Sequence, residues 1–571
     1  MKNQFIAYVL YQIADLLDLK GEVFFKTRAY RMAAQTIEVM DENIEDIVKN
    51  GKLREISGIG EALSKKITEL VETGELKYFE RLKKDIPAGL LSMLDISGLG
   101  PKKVAALYQK LGVKTIEDLQ KACIDGKVKN LEGFGEITER NILRGIKLKE
   151  KISGRMLINV AFEDGIKYIE YLHGCKEIKR LSKAGSLRRW KETIGDLDIL
   201  ASSDKPDEVM EYFVKYNDVQ RVLLKGSTKT SVVLNDNLQV DLRVVKDKSF
   251  GAALQYFTGS KEHNVKMRSI AIKQGFKLNE YGLFNKETEK FIVGKNEEEI
   301  YKKLGLFFIE PELRENRGEI EASSKNMLPK LVKFEDIKGD FHIHSNWSDG
   351  FEKIENLAKH TKKMGYEYIG IADHSQSLHI AHGLSEERVK EKIKEIEKIN
   401  NKFSKFKVLC GTECDIKIDG SLDYSNKVLK MFDFVGIGIH MNFKMSPKDI
   451  TNRILTGMEN ENVTFIAHPT CRLIGRREPF ELDVDKIIEK AVEKDIFLEI
   501  NAFPDRLDLN DLHVKLAKEK KAKFIIGTDS HNLNHLGFMQ FGVATAKRGW
   551  LEKKDILNTY SLKEVEKKLG L

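Results

Sequence analysis

The stretch Gly185 to Leu200, GSLRRWKETIGDLDIL, concentrates residues that could do chemistry. Asp196 and Asp198 flank Leu197, and strand alternation puts both carboxylates on one face. Carboxylates that close repel each other unless a divalent cation sits between them, and hard oxygen ligands suit Mg²⁺ or Mn²⁺ shared with substrate phosphates. The apolar run Ile194, Leu197, Ile199, Leu200 predicts a buried strand, which argues against two solvent-facing aspartates. A second strand pattern, Gln239 to Val245, puts Asp241 and Arg243 on one side and Val240, Leu242 and Val244 on the other. If the two strands pair, Asp241 completes a three-carboxylate clamp. Such a clamp fits two-metal phosphoryl transfer, activating an attacking 3′-hydroxyl and steadying a leaving pyrophosphate.

A different chemistry recurs after residue 339. Seven short apolar runs end in metal-capable or polar side chains, and helical stretches separate most of them. The candidate ligands are His342, His344, Asp349, His374, Glu413, His440, His468, Asp529 and His531. Imidazole with carboxylate suits Zn²⁺, Mn²⁺ or iron, and nine ligands are enough for two or three ions. Asp373 is better placed to orient a ligand than to be one. Arg472, Arg476 and Arg477 follow His468; a substrate-phosphate clamp and a solvated basic loop are both open for them. Alternating strands and helices with the chemistry at the strands' C-terminal ends predict a barrel of the TIM type.

The elements ahead of these sites are helical. Apolar residues at Phe5, Val9, Ile13, Leu16 and Leu17 follow helical spacing. Gly58-Ile59-Gly60 and Gly98-Leu99-Gly100, the latter followed by Pro101 and Lys102, are helix-hairpin-helix patterns, and Gly133-Phe134-Gly135 is a weaker third. Their glycines permit a tight turn that aims backbone N–H groups at a phosphate. Such contacts are blind to base sequence.

Gly185-Ser186, Arg189, Gly195-Asp196-Leu197-Asp198, Asp241, Tyr256-Phe257-Thr258-Gly259-Ser260, Asn264 and Arg268 resemble the nucleotidyltransferase core of family X DNA polymerases, the group of DNA polymerase beta. The resemblance implies that Asp196, Asp198 and Asp241 hold the catalytic metals. Ser186, Arg189 and Gly195 would contact the triphosphate of an incoming dNTP, Tyr256 and Phe257 would lie against the sugar, Gly259 would be a further nucleotide-binding residue, and Asn264 and Arg268 would reach the minor groove. Lys66 falls at the position of the family's Schiff-base lysine, although Ala62 and Phe25 replace another lysine and a histidine there. Two further departures are Lys261, basic where the vertebrate enzyme is acidic, and Gln239, which replaces an arginine beside the third aspartate. The His-x-His, Asp-His, Ala-His-Pro and Asp-Ser-His steps of residues 339–571 resemble the polymerase and histidinol phosphatase (PHP) domain.

Together these imply a multidomain α+β and α/β chain of the bacterial or archaeal form. The expected parts are a helical N-terminal domain (1–80), a fingers-like helical subdomain (81–150), a nucleotidyltransferase palm with a mixed sheet (151–250), a thumb (251–315), a linker (316–338) and a distorted TIM-like (β/α)7 PHP barrel (339–571). The implied activity is gap-filling DNA synthesis in repair on gapped or primer-template DNA. The barrel would add a 3′-5′ exonuclease, with abasic-site cleavage also open. A small-molecule phosphatase in the barrel and a non-catalytic DNA-end scaffold are the alternatives.

Composition sets the remaining bounds. With 571 residues the chain exceeds one core, and a net charge of +8 hints only mildly at a polyanionic partner. The amphipathic start carries Asp15 and Asp18 in its apolar half, unlike a secretory signal, and no apolar run is long enough to span a membrane. Five scattered cysteines predict reduced thiols in a cytoplasmic protein; nucleoid association goes with the DNA substrate that the resemblance implies, and a monomer is expected.

Overall fold

The computed structural model describes residues 3–571 other than 23, 39, 41, 42, 57, 95, 97, 98 and 153. The chain divides into two compact units, residues 1–153 with 473–478, and residues 154–472 with 479–571. No helix among the described residues is long and apolar enough to cross a membrane.

The first unit is helical. Helix Asn3–Leu19 buries Ile6, Leu10, Ile13 and Leu17, a stripe at the three-to-four-residue spacing of one helix face, in a core shared with Ala33, Ala34 and Ile37 of helix Phe24–Glu38. The first hairpin turns at Gly58, whose φ of +85° a side chain would strain, and Gly60 caps helix Glu61–Thr73. In the second, Gly100 caps helix Pro101–Leu111, with Pro101 at its first turn where a missing N–H costs nothing. Lys102 is exposed beside it, while Gly98 lies outside the described residues.

The second unit holds both predicted sites. Its five-stranded palm sheet runs in the order 180–183, 196–202, 239–245, 229–234, 219–225. The Asp196–Ser202 and Gln239–Val245 strands pair in parallel with Asp198 opposite Asp241. Helices Phe250–Thr258 and Lys261–Lys273 follow, then a three-stranded antiparallel sheet.

Beyond them, seven parallel strands are laid down in sequence order: 339–343, 368–371, 407–415, 434–438, 465–466, 497–501 and 524–527. The His344 N–H donates to the Ser530 carbonyl at 2.8 Å, bringing the first strand to the last and nearly closing the barrel. The strands are threaded with glycine for a packing reason. A Cβ on Gly411 would meet the Phe434 ring at 2.1 Å, and one on Gly436 would meet the Phe465 ring at 2.3 Å. Those rings join Phe341, Tyr368 and Leu409 in a buried cluster completed by Leu557 and Val565 near the C-terminus.

Segment 316–338, expected to be a linker, is folded into this unit. It forms helix Glu319–Ser324 and buries Ile320, Leu331, Val332 and Ile337, and Ile320 and Leu331 share a core with Met267, Tyr301 and Ile309 of the expected thumb. Buried Glu319 holds it there, accepting from the backbone of Asn316 and Arg317 and pairing with buried His263 at 2.8 Å. Others of its charges, among them Glu321, Lys325, Lys330, Lys333 and Glu335, stay exposed, so the segment is polar outside and anchored through Glu319 and its apolar residues.

Candidate functional site

The palm acids meet as the strand pattern predicts. Ligand oxygens of Asp196, Asp198 and Asp241 lie within 4.8 Å of one another. Burial, with Asp196 and Asp241 alongside, pushes the Asp198 carboxyl up to about 7. Asp198 packs against the turn that begins at Gly185, where a Cβ would meet its Oδ2 at 2.1 Å. Burial would raise Asp241 too, but the Lys229 ammonium at 2.6 Å, the Gln239 amide at 2.9 Å and Ser231 hold it below its ordinary value. The cation missing from position 239 is thus supplied by Lys229 on the neighbouring strand, which the sequence reading passed over.

These acids border a cleft of about 440 Å³ lined by Ser186, Arg189, Tyr256, Phe257, Gly259, Asn264 and Arg268, all expected there. Gly195 is not among its lining residues, although its neighbour Asp196 is. Arg155, Lys191, Ser260 and Lys261 line the cleft as well. Arg155 stands in no motif, and Lys191, although inside the Gly185 to Leu200 stretch, has no role assigned from the sequence. Arg189 is held by Glu315 at 3.0 Å and donates to the Thr258 carbonyl. Asn264 accepts from Gln255 and donates to the Tyr256 carbonyl, each at 2.7 Å, which fixes its amide at the cleft wall.

In the barrel, all nine predicted ligands converge. His342, His344 and Asp529 form one group of mutually close donor atoms, His344, Asp349, His374 and His531 a second, and His374, Glu413 and His440 a third. The groups share His344 and His374, so they sit side by side. Glu413 links them further, with one oxygen 2.7 Å from His468 Nε2 and 2.9 Å from His440 Nε2, and the other 3.2 Å from His374 Nδ1 and 3.4 Å from His342 Nε2. Each ligand stands at or just beyond the C-terminal end of a strand, except Asp349, which comes from a loop.

The electrostatics are those of an acid–imidazole cluster taken out of water. Burial alone would raise Glu413 and Asp529, but the surrounding imidazoles hold both well below the carboxylate range. Burial likewise opposes charge on His440, yet Glu413 and Asp415 bring it up to about 10. His344 goes the other way, lowered to about 4 by burial and by His531 and His374. The Nδ1 atoms of His344 and His374 are buried and make no aligned hydrogen bond among the described residues, although carboxylate oxygens of Asp349 and Glu413 lie 3.5 and 3.2 Å from them. Clustered imidazole nitrogens facing buried carboxylates are the donor set that divalent transition metals take, displacing the protons these groups otherwise share, so the residues fit such ions.

The surrounding groups explain the orientation. Glu499 accepts from His342 Nδ1 at 2.6 Å and from the His468 N–H at 2.6 Å, leaving His342 Nε2 to face the centre. Asn501 donates to Asp529 at 3.1 Å, and Arg506 lies 3.4 Å from it. Asp373 is no ligand: it accepts from Ser345 and Ser348 and pairs with fully buried Lys392 at 2.9 Å. Arg472, for which the sequence leaves a phosphate clamp and a solvated loop both open, is buried, pairing with Glu192 at 2.7 Å and donating to the Arg506 and Leu507 carbonyls.

Lys66, in the helical unit, donates to Tyr30 Oη at 2.6 Å and lies 4.3 Å from the Tyr78 ring centre. Burial first, then Lys26 and Arg81, lowers its pKa. Lys65, its neighbour in the chain, is exposed and paired with Glu61.

Family models match four parts of the chain: a helix-hairpin-helix domain over residues 1–76, a SAM-like helix-hairpin-helix tandem over 90–148, a DNA polymerase beta thumb over 253–315 and a PHP domain over 340–503. The chain is 40% identical over 568 residues, 99% of each chain, to the DNA polymerase/3′-5′ exonuclease PolX of Bacillus subtilis (strain 168). It belongs to the PolX family. Over about half its length it is also similar to the lambda members of family X: 24% identical to DNA polymerase lambda of Arabidopsis thaliana over 283 residues (45% of this chain, 50% of that one), and 25% to that of Rattus norvegicus over 293 residues (46% and 48%). The lambda likeness spans fewer than half the residues of this chain, whereas the PolX likeness runs its whole length.

Proposed function

We propose that this protein is a template-directed DNA polymerase that fills short gaps, with a 3′-5′ exonuclease in its PHP barrel. The observation that carries the first half is the register Asp198 opposite Asp241, with Asp196 in reach, beside a cleft bordered by Arg155, Arg189, Lys191, Lys261 and Arg268. Divalent ions held by the three acids would supply charge stabilisation at the attacking and leaving oxygens. The chain's own work is then positional. Arg189 would draw the triphosphate and Arg268 the nascent base pair into the cleft, Tyr256 and Phe257 would exclude water beside the sugar, and Lys229 keeps Asp241 ionised.

Covalent linkage to a polymerase, full-length likeness to a PolX named for both activities, and a metal-type cluster at the barrel mouth support the exonuclease reading. Glu413 and Asp529 would hold Mn²⁺, Zn²⁺ or iron while Glu499 and Asn501 fix the donor atoms. In the helical unit, the Gly58 and Gly100 hairpins would grip phosphates of gapped DNA, and Lys66, cornered by two tyrosines and two cations, is placed for a Schiff base with an abasic sugar.

A labelled primer on gapped DNA, given Mn²⁺ without nucleotides and beside a panel of phosphomonoesters, tests the pairing. Shortening that persists in Asp198→Ala and vanishes in His344→Ala and Asp529→Ala supports it, with primer extension retained in the last two. Monoester turnover with intact DNA would make the barrel a phosphatase.

A further inference from the structure

Lys191 is the one basic side chain that borders both the polymerase cleft and a second cavity of about 160 Å³ at the seam between palm and barrel, lined also by Trp190, Glu192, Arg317, Arg472 and Arg548. The acids of that seam are already taken. Glu192 pairs with Arg472 at 2.7 Å. Glu315 is held by Arg189 and Arg548, each at 3.0 Å. Asp511 is held by Arg548 at 2.6 Å and Arg317 at 3.0 Å. Lys191 has no carboxylate within ion-pair distance among the described residues. It is nonetheless half-buried, and burial together with Arg548 lowers its proton affinity.

A half-buried ammonium with no counter-ion, in the wall of a cleft shared with Ser186, Arg189 and Arg268, is poised for an anion that arrives with the substrate. Each of these seam carboxylates is engaged by an arginine, Glu315 and Asp511 by two each and Glu192 by Arg472, and the Lys191 backbone is fixed by its N–H to the Ser186 carbonyl at 3.1 Å. We propose that Lys191 is a phosphate-binding residue of the polymerase reaction, taking the terminal phosphates of the incoming nucleoside triphosphate and the pyrophosphate they become. This rests on the cleft being the nucleotide site.

The test is single-nucleotide insertion into gapped DNA, and its reversal by inorganic pyrophosphate, with the full-length protein. Lys191→Ala should raise the KM for dNTP and for pyrophosphate by about tenfold or more, the worth of one charge-assisted hydrogen bond. Lys191→Arg should recover most of both. The kcat at saturating nucleotide should change far less than KM, and affinity for gapped DNA and nucleotide-free primer shortening in Mn²⁺ should stay at wild-type level, which a folding defect would not allow. Arg189→Ala run in parallel separates two failures. If Arg189→Ala raises both KM values and Lys191→Ala raises neither, the assignment of Lys191 is wrong; if neither variant moves them, the nucleotide-site reading itself falls.

Discussion

Replacing Asp198 by Asn tests whether the palm acids are a metal site or a structural cluster, because the apo site stores electrostatic repulsion. The carboxyl of Asp198 is raised from its ordinary 3.8 to about 7 by burial, Asp196 and Asp241. Each factor of ten in proton affinity is worth about 1.4 kcal/mol, so ionising it in the fold costs about 4 kcal/mol as an upper bound. The group borders an open, solvated cleft, and screening there reduces this to about 2 kcal/mol. The sign follows from the raised pKa: the folded state prefers the neutral acid, so wild-type stability falls as pH rises from about 4 to about 7 and is level above. Asparagine cannot ionise and escapes that fall. In EDTA at pH 8, Asp198→Asn should therefore melt higher than wild type, by on the order of 2–4 °C for a unit of this size, and the advantage should vanish near pH 4. Added Mg²⁺ should raise the wild-type Tm and close the gap, while the variant gains little and extends no primer. Scanning calorimetry with and without Mg²⁺ decides it. A variant less stable than wild type in EDTA at pH 8, or one that gains as much from Mg²⁺, would refute the reasoning.

Lys229→Met removes the ammonium 2.6 Å from Asp241 and leaves only Gln239 and Ser231 to hold it; primer extension should slow by the order of tenfold with nuclease activity unchanged, and equal slowing of both would indicate general misfolding. Gly58→Val puts a branched side chain at a φ of +85°, so affinity for gapped DNA should fall equally on every sequence tested and log K should depend less steeply on log salt; a loss confined to particular bases would point to direct readout instead. Lys66→Ala should abolish borohydride trapping of an abasic substrate while binding persists, and undiminished trapping in that variant would place the Schiff base elsewhere.

What the sequence disclosed and what it hid divide along a physical line. Asp196, Asp198 and Asp241 were legible because strand alternation fixes the face on which each stands, and the barrel ligands other than Asp349 because each stands at or just past the end of a short apolar run that is its position in the fold. Partners brought by pairing register were not. Lys229 sits on a strand whose neighbour carries Asp241, and nothing local marks it as the stand-in for the arginine absent at 239. Glu499 read as one polar residue in an apolar strand, yet it fixes His342 and the His468 backbone together. Segment 316–338 read as a spacer because its charges have partners far off in the chain, Glu319 on His263 and Arg317 on Asp511.

That last misreading bears on how the two activities coexist. A flexible spacer would let the barrel drift from the palm, but Arg548 of barrel helix Met539–Arg548 is buried in the seam, donating to the Arg189 carbonyl at 2.7 Å and to Glu315, the same carboxylate that holds the Arg189 guanidinium. Phe541 of that helix packs edge-on to Phe162 and Trp190 at 5.9 and 6.2 Å. The loop that presents Ser186, Arg189 and Lys191 to the nucleotide is therefore braced from the barrel side. Because burying an arginine requires its carboxylates in place, the palm's nucleotide loop and the barrel's last long helix must fold against each other, and a chain cut before the barrel would leave Glu315 with one cation in place of two and the Arg189 carbonyl without its donor.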